Sequence, residues 1–272
     1  VGAYFQGVAM ALTSAEQLIQ RAQDLGLLDE IQVREIWSDL GSGRATMEQC
    51  GLLLLRREIL TNYQLERLTS GHRSGFFYGD YRVLYQVGSG SFARVFRAAH
   101  RETGKLAAVK VLRHRFNEDV EQSDRFRREG ELGATLVHPN IVPIWEIGRQ
   151  GSSLFIVMEF VEGRNLRELT KVRRQFDPTE AARLMLDVAC GLEYAAKRGL
   201  CHRDLKMSNV LVSVQGQAKL VDFGLAGVDN TMSDDRLMES NPRTIDYAGL
   251  ERASGVRRDD PRSDIFFVGC ML

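Results

Sequence analysis

The chain has 272 residues, 44% hydrophobic and 26% charged, with 36 Lys and Arg against 36 Asp and Glu. That length suits one large or two smaller domains, and the composition is ordinary for a soluble globular protein. A net charge of zero excludes a strongly basic nucleic-acid binder and an acidic tail.

Four dispersed cysteines, Cys50, Cys190, Cys201 and Cys270, form no C-x-x-C pair. This argues against a zinc site or a disulfide framework and fits a reducing cytoplasm. No apolar run approaches the ~18 residues of a membrane helix. The chain starts at Val1 rather than Met, and Tyr4-Phe5-Gln6-Gly7 resembles a protease-site scar. Residues 1–11 are therefore set aside as scar or disordered.

Residues 12–69 read as a four-helix, all-α module. Thr13-x-x-Glu16 is a capping box ahead of Leu18, Ile19, Ala22 and Leu25 at helical spacing, with Gly26 as the stop. Asp29 starts a second helix with Ile31, Val33, Ile36, Trp37 and Leu40, ended by Gly41-Ser42-Gly43. A third holds Met47, Cys50, Leu53 and Leu54; Thr61 caps a fourth with Tyr63, Leu65 and Leu68. Gly26-Leu27-Leu28-Asp29-x-x-Gln32-Val33 aligns with Glu58-Ile59-Leu60-Thr61-x-x-Gln64-Leu65, a weak internal repeat. Without clustered Cys or His, paired carboxylates or a basic recognition face, the module reads as structural or as a docking site for a protein partner. Residues 70–80, with Ser70, Gly71, Ser74, Gly75 and Gly79, read as a linker.

Tyr81 to Val87 alternates as a strand and runs into Gly88-Ser89-Gly90-Ser91-Phe92-Ala93. A Gly-x-Gly turn lets backbone N–H groups approach phosphate without a Cβ in the way. Alone it suits a dinucleotide fold equally well, if a helix follows. Here Val95 to Ala99 is a strand, which favours a β-hairpin. Leu106-Ala107-Ala108-Val109-Lys110-Val111-Leu112 is a buried strand with one lysine, costly there unless it is paired. Glu129, in a helical stretch, is the candidate partner; read alone it is one more solvated charge. Leu154 to Gly163 reads as a strand running into a hinge.

An amphipathic helix covers residues 179–197. Then come His202-Arg203-Asp204-Leu205-Lys206-Met207-Ser208-Asn209 and, 18 residues after Asp204, Asp222-Phe223-Gly224. Each is unremarkable alone. Their order and spacing behind Lys110, Glu129 and His138-Pro139-Asn140-Ile141-Val142 are not. Residues 81–272 thus resemble a eukaryotic-like Ser/Thr protein kinase of the bacterial type. The prelude is more loosely similar to a helical segment found ahead of some large bacterial kinases.

The resemblance implies an α+β, bilobal protein kinase-like fold preceded by the small all-α module. The β-rich N-lobe would span 81–161. A helical C-lobe would span 162–272 and end at the central helix that opens at Ser263-Asp264. The implied cofactors are ATP and Mg²⁺. Asp204 would take the proton of the attacking hydroxyl and Lys206 would steady the transferred phosphoryl group. Lys110 would hold the α/β-phosphates, with Glu129 holding Lys110, and Asn209 and Asp222 would bind the metal. Val87, Gly88, Ser89 and Gly90 would cover the phosphates. Met158 would stand at the rear of the adenine pocket, the backbone of Glu159 and Val161 would bond the base, and Val95, Ala108 and Leu211 would sandwich it; each of these residues is also simply good core. Asp264 would bond the backbone around His202 and Arg203.

The implied activity is transfer of the γ-phosphate of Mg-ATP to protein Ser/Thr hydroxyls, with autophosphorylation and a signalling role. It would take place in the cytoplasm, with any membrane anchor in a segment beyond this stretch. The sequence departs from the family in Ala93, where a third glycine is usual, and in Gly249-Leu250-Glu251, where Ala-Pro-Glu is usual. Thr231, Ser233 and Ser240 are candidate phosphosites. The departures, and the apolar Ile265, Phe266, Phe267 and Val268 near the end, keep a second reading in view: a pseudokinase scaffold that docks partners without phosphotransfer. They also lead us to expect a fragment of a longer chain, or a partner over that helix.

Overall fold

The structure, a computed structural model, describes residues 14–41, 45–223 and 260–272. Within it two compact units divide between Val109 and Lys110. Each unit is built on its own local signals.

The first unit begins with helices α1 (Ala15–Asp24), α2 (Glu30–Leu40), α3 (Met47–Arg56) and α4 (Asn62–Thr69). The α1 cap is Ser14, whose hydroxyl accepts from the Gln17 N–H, in place of the expected Thr13, which lies outside the described residues. The other three starts are reciprocal capping boxes: Asp29 with Gln32, Thr46 with Gln49, and Thr61 with Gln64. Each satisfies N–H groups that a helix start otherwise leaves orphaned.

The repeat extends to the helix ends. After α1, Gly26 N–H donates to Gln23 O at 2.9 Å and Leu27 N–H to Ala22 O at 2.8 Å. After α3, Glu58 N–H donates to Leu55 O and Ile59 N–H to Leu54 O, both at 3.0 Å. Both are Schellman closures, and both need a left-handed residue, at φ 69° for Gly26 and φ 55° for Glu58. Glu58 holds that conformation despite its Cβ. The cost is recovered where Ile59 and Leu60 turn back onto a core of Leu18, Ile36, Cys50, Leu54 and Leu68.

Strands β1 (Phe77–Tyr78), β2 (Tyr81–Ser89) and β3 (Ala93–His100) pair antiparallel in order, Tyr81 opposite His100 and Ser89 opposite Arg94. Residues 70–80, expected as a linker, hold β1 and the buried Phe76, which joins the helical core. The glycines and serine set the turns there, but the aromatics decide where the segment lies. Strand β4 (Leu106–Leu112) runs across the division between the units.

The second unit contains α5 (Val120–Ala134), capped by Asp119, and the antiparallel pair β5 (Ile144–Gln150) and β6 (Ser153–Glu159). A small sheet follows in the order β7 (Gly163–Asn165), β8 (Val210–Ser213), β9 (Ala218–Leu220). Among the described residues the unit also holds helices α6 (Leu166–Arg173), α7 (Pro178–Ala196) and α8 (Pro261–Met271). Its core joins Leu184, Val188 and Ala195 of α7 to Val210, Ala218 and Leu220 of the small sheet, with Phe223 beside them. On α8, Phe267 and Val268 pack against this core while Ile265 and Phe266 face outward. Among the described residues no helix is long and apolar enough to cross a membrane.

Gly163 is fixed by close approach: a Cβ there would stand 2.0 Å from the Val212 carbonyl oxygen, in backbone that cannot rotate aside. Gly163→Ala should therefore force β7 off β8, at a cost of about 1–3 kcal/mol, and lower the midpoint of thermal unfolding followed by circular dichroism.

Candidate active site

The site is assembled from Lys110 at the start of the second unit, α5, the loop after α7 and the segment after β9. The apolar run of β4 carries Lys110 into a largely desolvated position, its side chain 14% exposed. Two carboxylates meet it there. Glu129 of α5 accepts from Lys110 Nζ through Oε1, and Asp222 Oδ1 lies 2.9 Å from the same nitrogen.

Burial alone would pull the Lys110 ammonium down, but Asp222 and Glu129 more than offset it and hold the group above the ordinary lysine range. For Asp222, burial alone would raise the carboxyl; the Lys110 charge overrides it and holds the group below the usual carboxylate range.

The loop from Cys201 to Asn209 is held by its backbone. His202, fully buried, donates its backbone N–H to Asp264 Oδ2 at 2.7 Å, and Arg203 N–H donates to Asp264 Oδ1 at 3.1 Å. Asp264 is itself buried on the first turn of α8, so two backbone donors neutralise a carboxylate that could not otherwise be there. The His202 ring meets the Val221 carbonyl at Nε2, 3.0 Å, and accepts the Asp204 N–H at Nδ1, 3.3 Å. Those partners place its proton on Nε2. The ring packs on Phe223 with centroids 4.7 Å apart. Arg203 at φ 60° and Asp222 at φ 64° both hold left-handed backbone, rare for residues with a Cβ and often found at functional sites.

Within the loop, Lys206 Nζ pairs with Asp204 Oδ2. Asn209 Nδ2 donates to Asp204 O at 2.9 Å and to Asp204 Oδ2 at 3.0 Å. This commits the Asn209 amide nitrogen and leaves its oxygen as the atom for a cation. Val221 N–H donates to Asn209 O at 3.0 Å, so the Asp204 loop and the Asp222 segment are tied directly. Asp222 and Asn209 offer hard oxygen donors of the type Mg²⁺ takes at nucleotide sites, where phosphates and water supply most ligands. Among the described residues no cluster of three or more His, Cys, Asp or Glu forms a self-contained metal site.

A cavity with about 380 Å³ of empty space is lined by Lys110, Glu129, Met158, Asp222 and Phe223 with an apolar wall that includes Ile144, Ile156 and Leu220. Leu211 lies on β8 opposite Asn165 and Lys219. Glu159 N–H donates to Pro143 O at 3.1 Å. Val87, Gly88, Ser89, Gly90, Val95 and Ala108 belong to the first unit. There Gly90 N–H closes the hairpin onto Ala93 O at 2.9 Å. Gly224, Thr231, Ser233, Ser240 and the stretch Gly249-Leu250-Glu251 lie outside the described residues.

One residue escaped the sequence reading. Lys219 of β9 sends Nζ to both oxygens of Glu159, at 2.8 and 2.6 Å, with the lysine 15% and the glutamate 30% exposed. The signal was present: Ala218-Lys219-Leu220 is a lysine inside an apolar strand, the same anomaly that marked Lys110. The pair joins the hinge to the strand that delivers Asp222.

Residues 81–272 match the family model described as the protein kinase domain. Over 195 residues the chain is 35% identical to a protein of Lactococcus lactis named probable serine/threonine-protein kinase PknB, covering 71% of this chain and 30% of the relative. Over 196 residues it is 33% identical to the serine/threonine-protein kinase PrkC of Bacillus subtilis, with the same coverage. The chain spans about 30% of the length of the curated relatives it matches.

Two outcomes are expected. The Asp222 carboxyl is lowered by folding, so its contribution to stability is complete above about pH 4 and lost as pH falls through the lower folded value. Lys110 is raised, so its contribution is complete below about pH 10 and lost only above that. Urea denaturation from pH 2.5 to 5 should show wild-type stability falling with pH more steeply than that of Asp222→Asn. In a double-mutant cycle, Lys219→Ala and Glu159→Ala should each cost about 1–2 kcal/mol, and the double variant clearly less than their sum.

Proposed function

This chain belongs to the protein kinase family, and from that premise we propose that it transfers the γ-phosphoryl group of Mg-ATP to Ser or Thr hydroxyls of a protein, itself included. The observation that carries the reading is the joined arrangement of Asp204, Lys206 and Asn209 with Asp222 and Lys110. Asn209 bonds Asp204 at 3.0 Å, Val221 N–H bonds Asn209 O at 3.0 Å, and Asp222 bonds Lys110 at 2.9 Å. The relatives' names, serine/threonine-protein kinases, point the same way.

In this reading the Asp204 carboxylate accepts the hydrogen bond of the incoming hydroxyl and takes its proton as the new P–O bond forms and the bond to ADP breaks. The Lys206 ammonium, already against Asp204, offsets negative charge on the transferred group. Lys110, steadied by Glu129, would hold the α/β-phosphates, and the Asp222 carboxylate and the Asn209 side-chain oxygen would hold the metal. Mg²⁺ supplies charge neutralisation on the phosphates when bound. The turn of Gly88, Ser89 and Gly90 covers the phosphates, and the Glu159 carbonyl and Val161 N–H bond the base. The reaction belongs to the cytoplasm, where Mg-ATP is held.

Incubation with Mg-ATP followed by intact-mass measurement should show phosphate-sized increments on the wild type. Asp204→Asn, which keeps the shape but loses the base, should slow them by about 10²–10⁴-fold. Nucleotide binding without any increment would leave a docking module in place of an enzyme.

A further inference from the structure

The helical module was expected to be structural or a docking site for a protein partner; its second repeat unit is bonded into the strand that leads to Gly88-Ser89-Gly90. Thr61 Oγ1 donates to Leu84 O at 2.6 Å, and Gln64 Nε2 donates to Val83 O at 2.6 Å. In the other direction Arg82 of β2 donates to Ile59 O at 2.6 Å. Gln64 is 1% exposed, and Tyr63 beside it packs on Phe96 of β3 with centroids 6.0 Å apart.

Two consecutive carbonyls of a regular strand point to opposite edges, so one helix cap cannot reach both. Here it does, because the pairing of β2 with β3 slips between Val83 and Tyr85 and leaves Leu84 out of register. Such a bulge leaves one residue out of the ladder and re-aims the strand. Its carbonyl needs a donor, and Thr61 provides one. Thr61 and Gln64 thereby stabilise the bulge itself, four residues before Gly88, and a second slip between Gln86 and Gly88 follows at once.

The first repeat unit is the internal control. Asp29 and Gln32 form the same reciprocal cap, with Gln32 N–H to Asp29 Oδ1 at 2.7 Å and Asp29 N–H to Gln32 Oε1 at 3.0 Å. That cap is exposed, and Ile31, the counterpart of Tyr63, is 62% exposed. The same local motif serves once as a helix cap alone and once as a clamp on a strand.

We propose that Thr61 and Gln64 are positioning residues for the glycine-rich turn, and that the helical module thereby sets the affinity for the nucleotide. This inference rests on the nucleotide-binding part of the reading above. Binding of a fluorescent ATP analogue with Mg²⁺ is the direct test, with KM for ATP and kcat measured beside it. Thr61→Ala and Gln64→Glu should weaken analogue binding by about three- to ten-fold, the loss expected of a hydrogen bond. KM should rise in step, with kcat within about two-fold of wild type. Gln64→Glu keeps the oxygen that caps Thr61 N–H and replaces the donor to Val83 O with a carboxylate oxygen beside the Arg82 guanidinium, so α4 stays capped. Thr61→Ser should restore binding. Asp29→Ala, which removes an equivalent cap in the first repeat unit, should leave affinity unchanged even where it lowers the melting temperature.

Equal affinities for Thr61→Ala, Gln64→Glu and wild type, or an equal loss in Asp29→Ala, would overturn the proposal and leave the module a general stabiliser. A wild type that binds the analogue but transfers no phosphate defeats the phosphotransfer reading alone, and the affinity comparison still decides this one. A wild type that binds no analogue overturns both.

Discussion

A lysine ammonium brought into an apolar strand has to meet negative charge, and much of the second unit is arranged around that need at Lys110. Removing the ion from water costs several kcal/mol unless carboxylates replace the lost hydration. Glu129 can do so because α5 is capped by Asp119 and presents residue 129 toward β4. Asp222 can do so because its own backbone is turned left-handed at φ 64° just after β9. Two acids on one base leave the cluster with a net negative charge.

Strand β9 is the structural counterpart of that cluster. Over a few residues it is bonded to Asp187 of α7, to Asn140, to Glu159 at the hinge and to the Asp204 loop. The buried His202 ring, bonded at both nitrogens, closes the connection from Val221 to Asp204. Asp264 then holds the same loop from α8 through two backbone N–H groups. Apart from the Lys219–Glu159 pair, these contacts end on backbone rather than on two flexible side-chain tips, so Asp204, Asn209 and Asp222 are preorganised before any ligand arrives. The spacing from Asp204 to Asp222, read as a family signature, acquires here a physical meaning: it is the length of chain needed to leave the loop, run through β8 and β9, and return beside it.

The first unit shows how one sequence motif yields two outcomes. Gly26 and Glu58 close their helices in the same left-handed geometry, and Asp29 and Thr61 cap the next helices in the same way. What differs is the neighbour. Beside Thr61 lies a strand with a bulge at Leu84, and a hydroxyl can both accept from Gln64 N–H and donate to a carbonyl. The Asp29 carboxylate can only accept. The glycine and serine content of residues 70–80 spoke for a linker, because turn chemistry is local. The burial of Phe76 against the helices depends on a core built from residues far away in the chain.

The sequence by itself determined what depends on short-range periodicity and on residue chemistry. That covers four capped helices in a repeat, a glycine-rich hairpin, the strand carrying Lys110, and the ordered set Lys110, Glu129, Asp204, Asn209 and Asp222. These were legible because caps, strand alternation and motif spacing are properties of a few neighbouring residues. Only the tertiary structure decided that Lys110 bonds Asp222 as well as Glu129, that Lys219 reaches Glu159 across 60 residues, and that Thr61 and Gln64 grip β2. Those contacts join residues distant in the chain, and two of them end on backbone carbonyls, which every residue carries and which leave no mark in the sequence.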